Sequence, residues 1–140
     1  MAIAAAAAAT ERLVRGSLAL SCPLNLTASW AFAVPSSLLG QQLGLPVSVE
    51  PLYAGLCGLF VGLFGIVYGW LAMQRRLDQP LLWLGVVGKA GFFLLVVALW
   101  LRQLAEERLL AAASLDMALA VLWCWWLMRT RLATAVEARR

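Results

Sequence analysis

Three polar side chains stand inside otherwise apolar runs and are the first candidates for chemistry: Asn25, Lys89 and Asp116. A lysine and an aspartate that meet in a low-dielectric medium form an ion pair, and an amide beside them adds one donor and one acceptor. Charged groups inside a bilayer face the protein interior and pair, and they mark sites of function. Three readings of this set compete. In the first, Lys89 and Asp116 are a buried pair, and Asn25 is polar glue that fixes helix register. In the second, Lys89 snorkels to the interface and pairs with nothing. In the third, Lys89 or Asp116 titrates in a polar cavity that handles a proton or a small ligand. Tyr68 either extends such a path or is an interface tyrosine.

Other chemistries lack their residues. The chain has no histidine, which removes the commonest general base and metal ligand. Cys22, Cys57 and Cys124 lie far apart with no CxxC, so they read as small apolar packing groups. There is no HExxH, no phosphate-cradling loop ending in Gly-Lys-Ser/Thr, and no carboxylate pair on one helix face. No catalytic residue, metal or cofactor is expected. The net charge is +4, but the arginines flank apolar runs, so topology explains them better than nucleic acid.

The elements that carry these residues follow from hydropathy. The chain of 140 residues is 64% hydrophobic and 13% charged, with a mean hydropathy of +0.87. Soluble domains are about half apolar and about a quarter charged. The reading is all-α: one integral membrane domain, an antiparallel four-helix bundle with both termini cytoplasmic. The spans are placed at 13–34, 51–73, 80–101 and 109–128, after a flexible tail over 1–10 in which Thr10 caps a helix starting at Glu11. The first span is the most polar: Ser17, Ser21, Asn25 and Ser29 form a stripe, and Pro23 should kink it. In the long connection 35–50, residues 36–44 suit one or two turns of interfacial helix. Pro51 and Pro80 suit first helical turns.

Depth brings the polar set together. At 1.5 Å per residue in a core ~30 Å thick, Lys89 lies about 12 Å, Asn25 about 18 Å and Asp116 about 20 Å from the cytoplasmic face. A central lysine costs roughly 2.5–3.5 kcal/mol to insert, which the Leu, Val and Phe of its span offset. In the second span Gly55, Gly58, Gly62, Gly65 and Gly69 recur at helical spacing and form one stripe of small residues. In lipid such a stripe lets two backbones approach closely. Its partner is a helix of the same chain or a second copy, and a substrate groove is the alternative. Gly85, Gly88 and Gly91, and Ala112, Ala113 and Ala120, make similar faces on the last two spans.

Topology follows from the basic residues. Arg12, Arg15, Arg75, Arg76, Arg129, Arg131, Arg139 and Arg140 fall on one side, and only Arg102 and Arg108 on the other. The arginine-rich side is therefore read as cytoplasmic. Trp30 and Trp100 suit the outer interface, and Trp70, Trp83, Trp125 and Trp126 the inner one. Arginine far outnumbers lysine and alanine is abundant, which points to a GC-rich bacterial genome and hence to the inner membrane.

From Asn25 to about Arg129 the chain resembles small uncharacterised four-helix bacterial membrane proteins of the DoxX-like kind. The residues that carry the resemblance are Pro35, Leu45-Pro46, Gly62-Leu-Phe-Gly65-Ile-Val-Tyr68, Pro80, Gly85-Val-Val-Gly88-Lys89 and Asp116. It implies a four-helix membrane fold, and some relatives are linked to quinone-coupled thiol or sulfur oxidation. The leading expectation is a structural or accessory membrane protein that works through helix contacts with itself or a larger complex, in the lipid bilayer. The alternatives are a small-molecule or proton-handling protein using Asn25, Lys89, Asp116 and Tyr68, and a quinone-linked oxidoreductase subunit.

Overall fold

The structure is a computed structural model, described over residues 2–137 and, for side chains, over 7–131. The described residues form helices α1 (Ala2–Ala33), α2 (Leu38–Gln42), α3 (Pro51–Met73), α4 (Gln79–Leu101) and α5 (Glu107–Glu137), with no strand. Three are long and apolar enough to cross a membrane: α3, α4 and residues Glu107–Arg131 of α5. By length and composition the chain is thus a membrane protein, all-helical over the described residues. Helix α1, expected as a fourth span, falls outside that set because serines, Asn25, Thr27 and Pro23 dilute its apolar residues.

Several boundaries differ from expectation. The alanine run is helical from Ala2 rather than a flexible tail, as the strongest helix-forming residue favours. Thr10 is accordingly no cap; it lies inside the helix, and its hydroxyl donates to the carbonyl of Ala7 at 2.9 Å. Pro23 lies inside helix α1, which runs on to Ala33. Helix α5 extends past the expected end at residue 128 to Glu137. Arg139 and Arg140, counted for topology, lie outside the described residues.

The short helix α2 is capped by Ser37, whose Oγ accepts from the Gly40 amide. Helix α4 starts under an Asp78 cap: Oδ1 accepts from the Leu81 amide at 3.0 Å. Side-chain oxygens at these positions satisfy amides that the first turn leaves unpaired.

The helices pair as α1 with α3 and α4 with α5, whereas α3 and α4, joined only by Gln74–Asp78, touch little. The glycine stripe explains the first pair. A β-carbon at Gly58 would lie 2.6 Å from Ala33 Cβ and 2.8 Å from the Ser29 carbonyl oxygen, and one at Gly65 would lie 3.2 Å from the Cys22 carbonyl oxygen. Gly62 and Gly69 likewise face Ser29 and Cys22. The stripe therefore packs on α1 of its own chain. Gly55 does not belong to this seam: nothing lies within 4 Å of its would-be β-carbon, because α1 ends at Ala33, level with Gly58. Gly91 is open in the same way.

Polar bonds reinforce the seam. Ser29 Oγ donates to the Gly58 carbonyl at 2.7 Å, and Asn25 Nδ2 donates to the Val61 carbonyl at 3.3 Å. Interhelical bonds of this kind contribute on the order of 0.6 kcal/mol each in membrane proteins. Arg15 reaches from α1 to the end of α3, donating to the carbonyls of Ala72 (3.3 Å), Gln74 and Arg75 (3.0 Å) while paired with Glu11 at 2.8 Å. It thereby bonds one carbonyl of the last turn of α3 and two just past its end, where no helical amide follows to pair with them.

Aromatic side chains hold the two helix pairs apart. Tyr68 packs on Trp123 with ring centres 5.0 Å apart, and both fill the space over Gly85, while Phe64 covers Gly88. Two buried clusters result. One contains Val14, Leu18, Tyr68, Leu71, Leu82, Trp123 and Leu127; the other contains Ala31, Leu45, Val96, Leu109 and Ala113. Trp126 belongs to the first cluster and is buried rather than displayed at an interface, whereas Trp30, Trp70 and Trp125 are exposed.

Candidate functional site

The three polar residues of the sequence meet where the helix pairs face each other. Lys89 projects from α4 between Gly85, Gly88 and the aromatic spacers, and only 4% of it is exposed. Its Nζ makes an ion pair with Asp116 Oδ1 on α5. The same ammonium donates to Asn25 Oδ1 on α1 at 3.4 Å. It stands over the faces of Tyr68 and Trp123, 5.1 Å and 5.7 Å from the ring centres. Lys89 therefore turns inward instead of running to the helix end. Its charge is met by a carboxylate, an amide oxygen and two electron-rich ring faces, which together replace much of its lost hydration.

Each partner is held in turn. Asn25 is fixed by the bond from its Nδ2 to Val61. Trp123 donates from Nε1 to Ser17 Oγ at 2.8 Å, which ties α5 to α1. Ser17 itself donates to the Val14 carbonyl at 2.8 Å, and Ser21 to the Ser17 carbonyl at 2.8 Å. Tyr68, read from sequence as a possible interface residue, is only 1% exposed and belongs to the core.

Asp116 is the open member of the centre, with 28% of its side chain exposed against 4% for Lys89. It lies on the wall of a cavity of about 440 Å³ that Asn25, Lys89 and Tyr68 also line. That volume falls within the range of small-molecule sites. The remaining wall is almost wholly apolar and includes Phe32, Phe60, Phe64 and Phe92, with Leu39, Gln42 and Leu43 from α2 and the turn after it. The polar centre thus forms one patch of a greasy chamber to which every helix contributes.

The structure brings together Asn25, Lys89, Asp116 and Tyr68, and it places Gly58, Gly62, Gly65 and Gly69 elsewhere, on the α1 side of α3. It adds two residues that sequence reasoning missed. Trp123 lies seven residues after Asp116 and three after Ala120, so the helical face of Ala113, Asp116 and Ala120 already pointed to it. Arg15 carried no such signal, since the carbonyls it bonds at the end of α3 lie some sixty residues away. Among the described residues no group of three His, Cys, Asp or Glu side chains comes together, and the three cysteines are free.

No family model, curated protein or solved structure matches the chain. The DoxX-like resemblance therefore rests on the short motifs that carry it.

Proposed function

We propose that this protein binds a lipophilic small molecule inside the bilayer, with the Asn25–Lys89–Asp116 centre holding the molecule's polar part. The observation that carries this reading is the position of Asp116: its carboxylate pairs with a buried lysine and also borders the 440 Å³ apolar cavity. A pair that serves only to fix helix register needs no chamber beside it. Mostly apolar walls with a few convergent polar groups are the usual form of a small-molecule site.

The structural or accessory role expected first has less support. The glycine stripe was open to a helix of the same chain or to a second copy, and four of its five glycines are occupied by α1 of the same chain. A quinone-linked oxidoreductase subunit gains no support from the scattered cysteines.

The reading includes an arrangement in the membrane. Helix α1 crosses as the fourth span, shielded by α3 along the stripe that bears its serines and Asn25. Both termini lie in the cytoplasm of a bacterial cell, on the side of the arginine-rich segments.

The test is native mass spectrometry of protein extracted from its membrane in mild detergent. Wild type is expected to carry one lipophilic adduct per chain. Ala28→Phe places a ring into the cavity from α1 and is expected to reduce occupancy at least about tenfold, equivalent to ~1.4 kcal/mol. Equal occupancy in the two proteins contradicts the reading.

A further inference from the structure

The hydrogen-bonding capacity left open at the polar centre defines the head group that fits it, and this inference rests on the ligand-binding reading above. Lys89 is committed: its Nζ bonds Asp116 Oδ1 and Asn25 Oδ1 and faces the rings of Tyr68 and Trp123. Asp116 is only half used. Its Oδ2 accepts no hydrogen bond among the described residues, and the side chain borders the cavity. The Tyr68 hydroxyl also has no hydrogen-bond partner among the described residues, and Tyr68 lines the same chamber. The cavity therefore offers an acceptor at Asp116 and a donor or acceptor at Tyr68, beside an ion pair whose charges cancel.

That inventory discriminates between head groups. An anion finds no free cation, because taking Lys89 would strand the Asp116 carboxylate in an apolar chamber. A cation must share Asp116 with an ammonium already in contact with it, and like charges at that distance repel strongly in a low dielectric. A bare hydrocarbon would leave Asp116 Oδ2 and the Tyr68 hydroxyl facing a chain that bonds neither. A hydroxyl donates to Asp116 Oδ2 and accepts from Tyr68, and so satisfies both.

We infer that the cavity takes a neutral, hydroxyl-headed amphiphile from the bilayer, its hydroxyl between Asp116 and Tyr68 and its apolar body along Phe60, Phe64 and Phe92. The source follows from the rim: Leu24, Phe60 and Leu115 line the cavity and are also exposed on the outer surface of the helices. An apolar rim of this kind opens towards acyl chains rather than water.

The experiment uses the full chain in phosphatidylcholine nanodiscs. Four probes share a twelve-carbon chain and differ in the head: dodecanol, dodecanesulfonate, dodecylamine and dodecane. Melting temperature is followed against probe concentration. Dodecanol is expected to raise Tm saturably by about 5 °C, and the other three by less than about 1 °C. The increase should vanish in Ala28→Phe and in Ala112→Phe, which fill the chamber from α1 and from α5; two variants guard against one failing to fold. A rise with dodecanesulfonate, dodecylamine or dodecane equal to that with dodecanol overturns the head-group assignment but leaves the cavity as a site. No saturable rise with any probe overturns the ligand-binding reading itself. A dodecanol effect unchanged in both filled variants assigns it to the bilayer and overturns the inference.

Discussion

Lys89 and Asp116 illustrate how a charge is kept inside an apolar protein. The ammonium is almost wholly buried, and its partners come from three other helices: Asp116 and Trp123 from α5, Asn25 from α1 and Tyr68 from α3. Removing one charge strands the other. Lys89→Met is expected to destabilise by on the order of 2–4 kcal/mol, towards the low end because Asp116 is partly exposed. Asp116→Asn, which leaves the more deeply buried Lys89 unpaired, should cost at least as much. The double variant is expected to recover most of the loss, since replacing both charges by neutral groups removes the desolvation cost along with the attraction. Thermal unfolding in detergent measures this, and single variants as stable as wild type would show that the pair contributes nothing. The common depth of Asn25, Lys89 and Asp116 was legible in the sequence because rise per residue and bilayer thickness are fixed quantities. That their side chains face one another was not. It depends on the rotation of each helix about its axis, which is set by Gly58, Gly65 and Trp123 packing on residues distant in sequence.

At the scale of elements, the long apolar runs gave the helix bounds most closely. Helix α3 spans Pro51–Met73 as expected, and α4 begins one residue before Pro80 at Gln79. The ends that moved are those outside the expected spans: the alanine stretch at the start of α1 and the arginine-bearing end of α5. In both places helix propensity and local bonding extend the helix beyond the expected span. Pairing was the least legible property. A short loop makes α3 and α4 consecutive but not intimate, because Phe64 and Tyr68 stand between them. The glycine stripe specified a close approach without naming the partner, and α1 satisfies it along Cys22, Asn25, Ser29 and Ala33. The same contacts explain how a helix too polar to count among the apolar spans gains shelter: its serines and asparagine bond the carbonyls of α3 or of α1 itself.

The whole molecule is two tightly packed helix pairs with aromatic spacers between them. The spacers fill the interface beside Trp123 and leave it hollow towards α2, where the cavity lies. Topology belongs to this scale, since it is fixed by the balance of arginines over all the connections. A reporter fused after Arg140 is expected to be active only as a cytoplasmic fusion, and a periplasmic signal there would reverse the orientation. The cavity has the character of a ligand site because no single helix forms it: its polar patch draws on α1, α3, α4 and α5 together. The central claim is that a lipophilic molecule occupies this chamber. Photolabelling in membranes with a diazirine-bearing long-chain alcohol, followed by peptide mapping, tests it most directly. The predicted result is saturable labelling concentrated on cavity residues such as Phe60, Phe64, Phe92 and Ala112, competed by unlabelled alcohol. Labelling spread over lipid-facing residues such as Ile66, Val87 and Leu95, and unaffected by competitor, would contradict it.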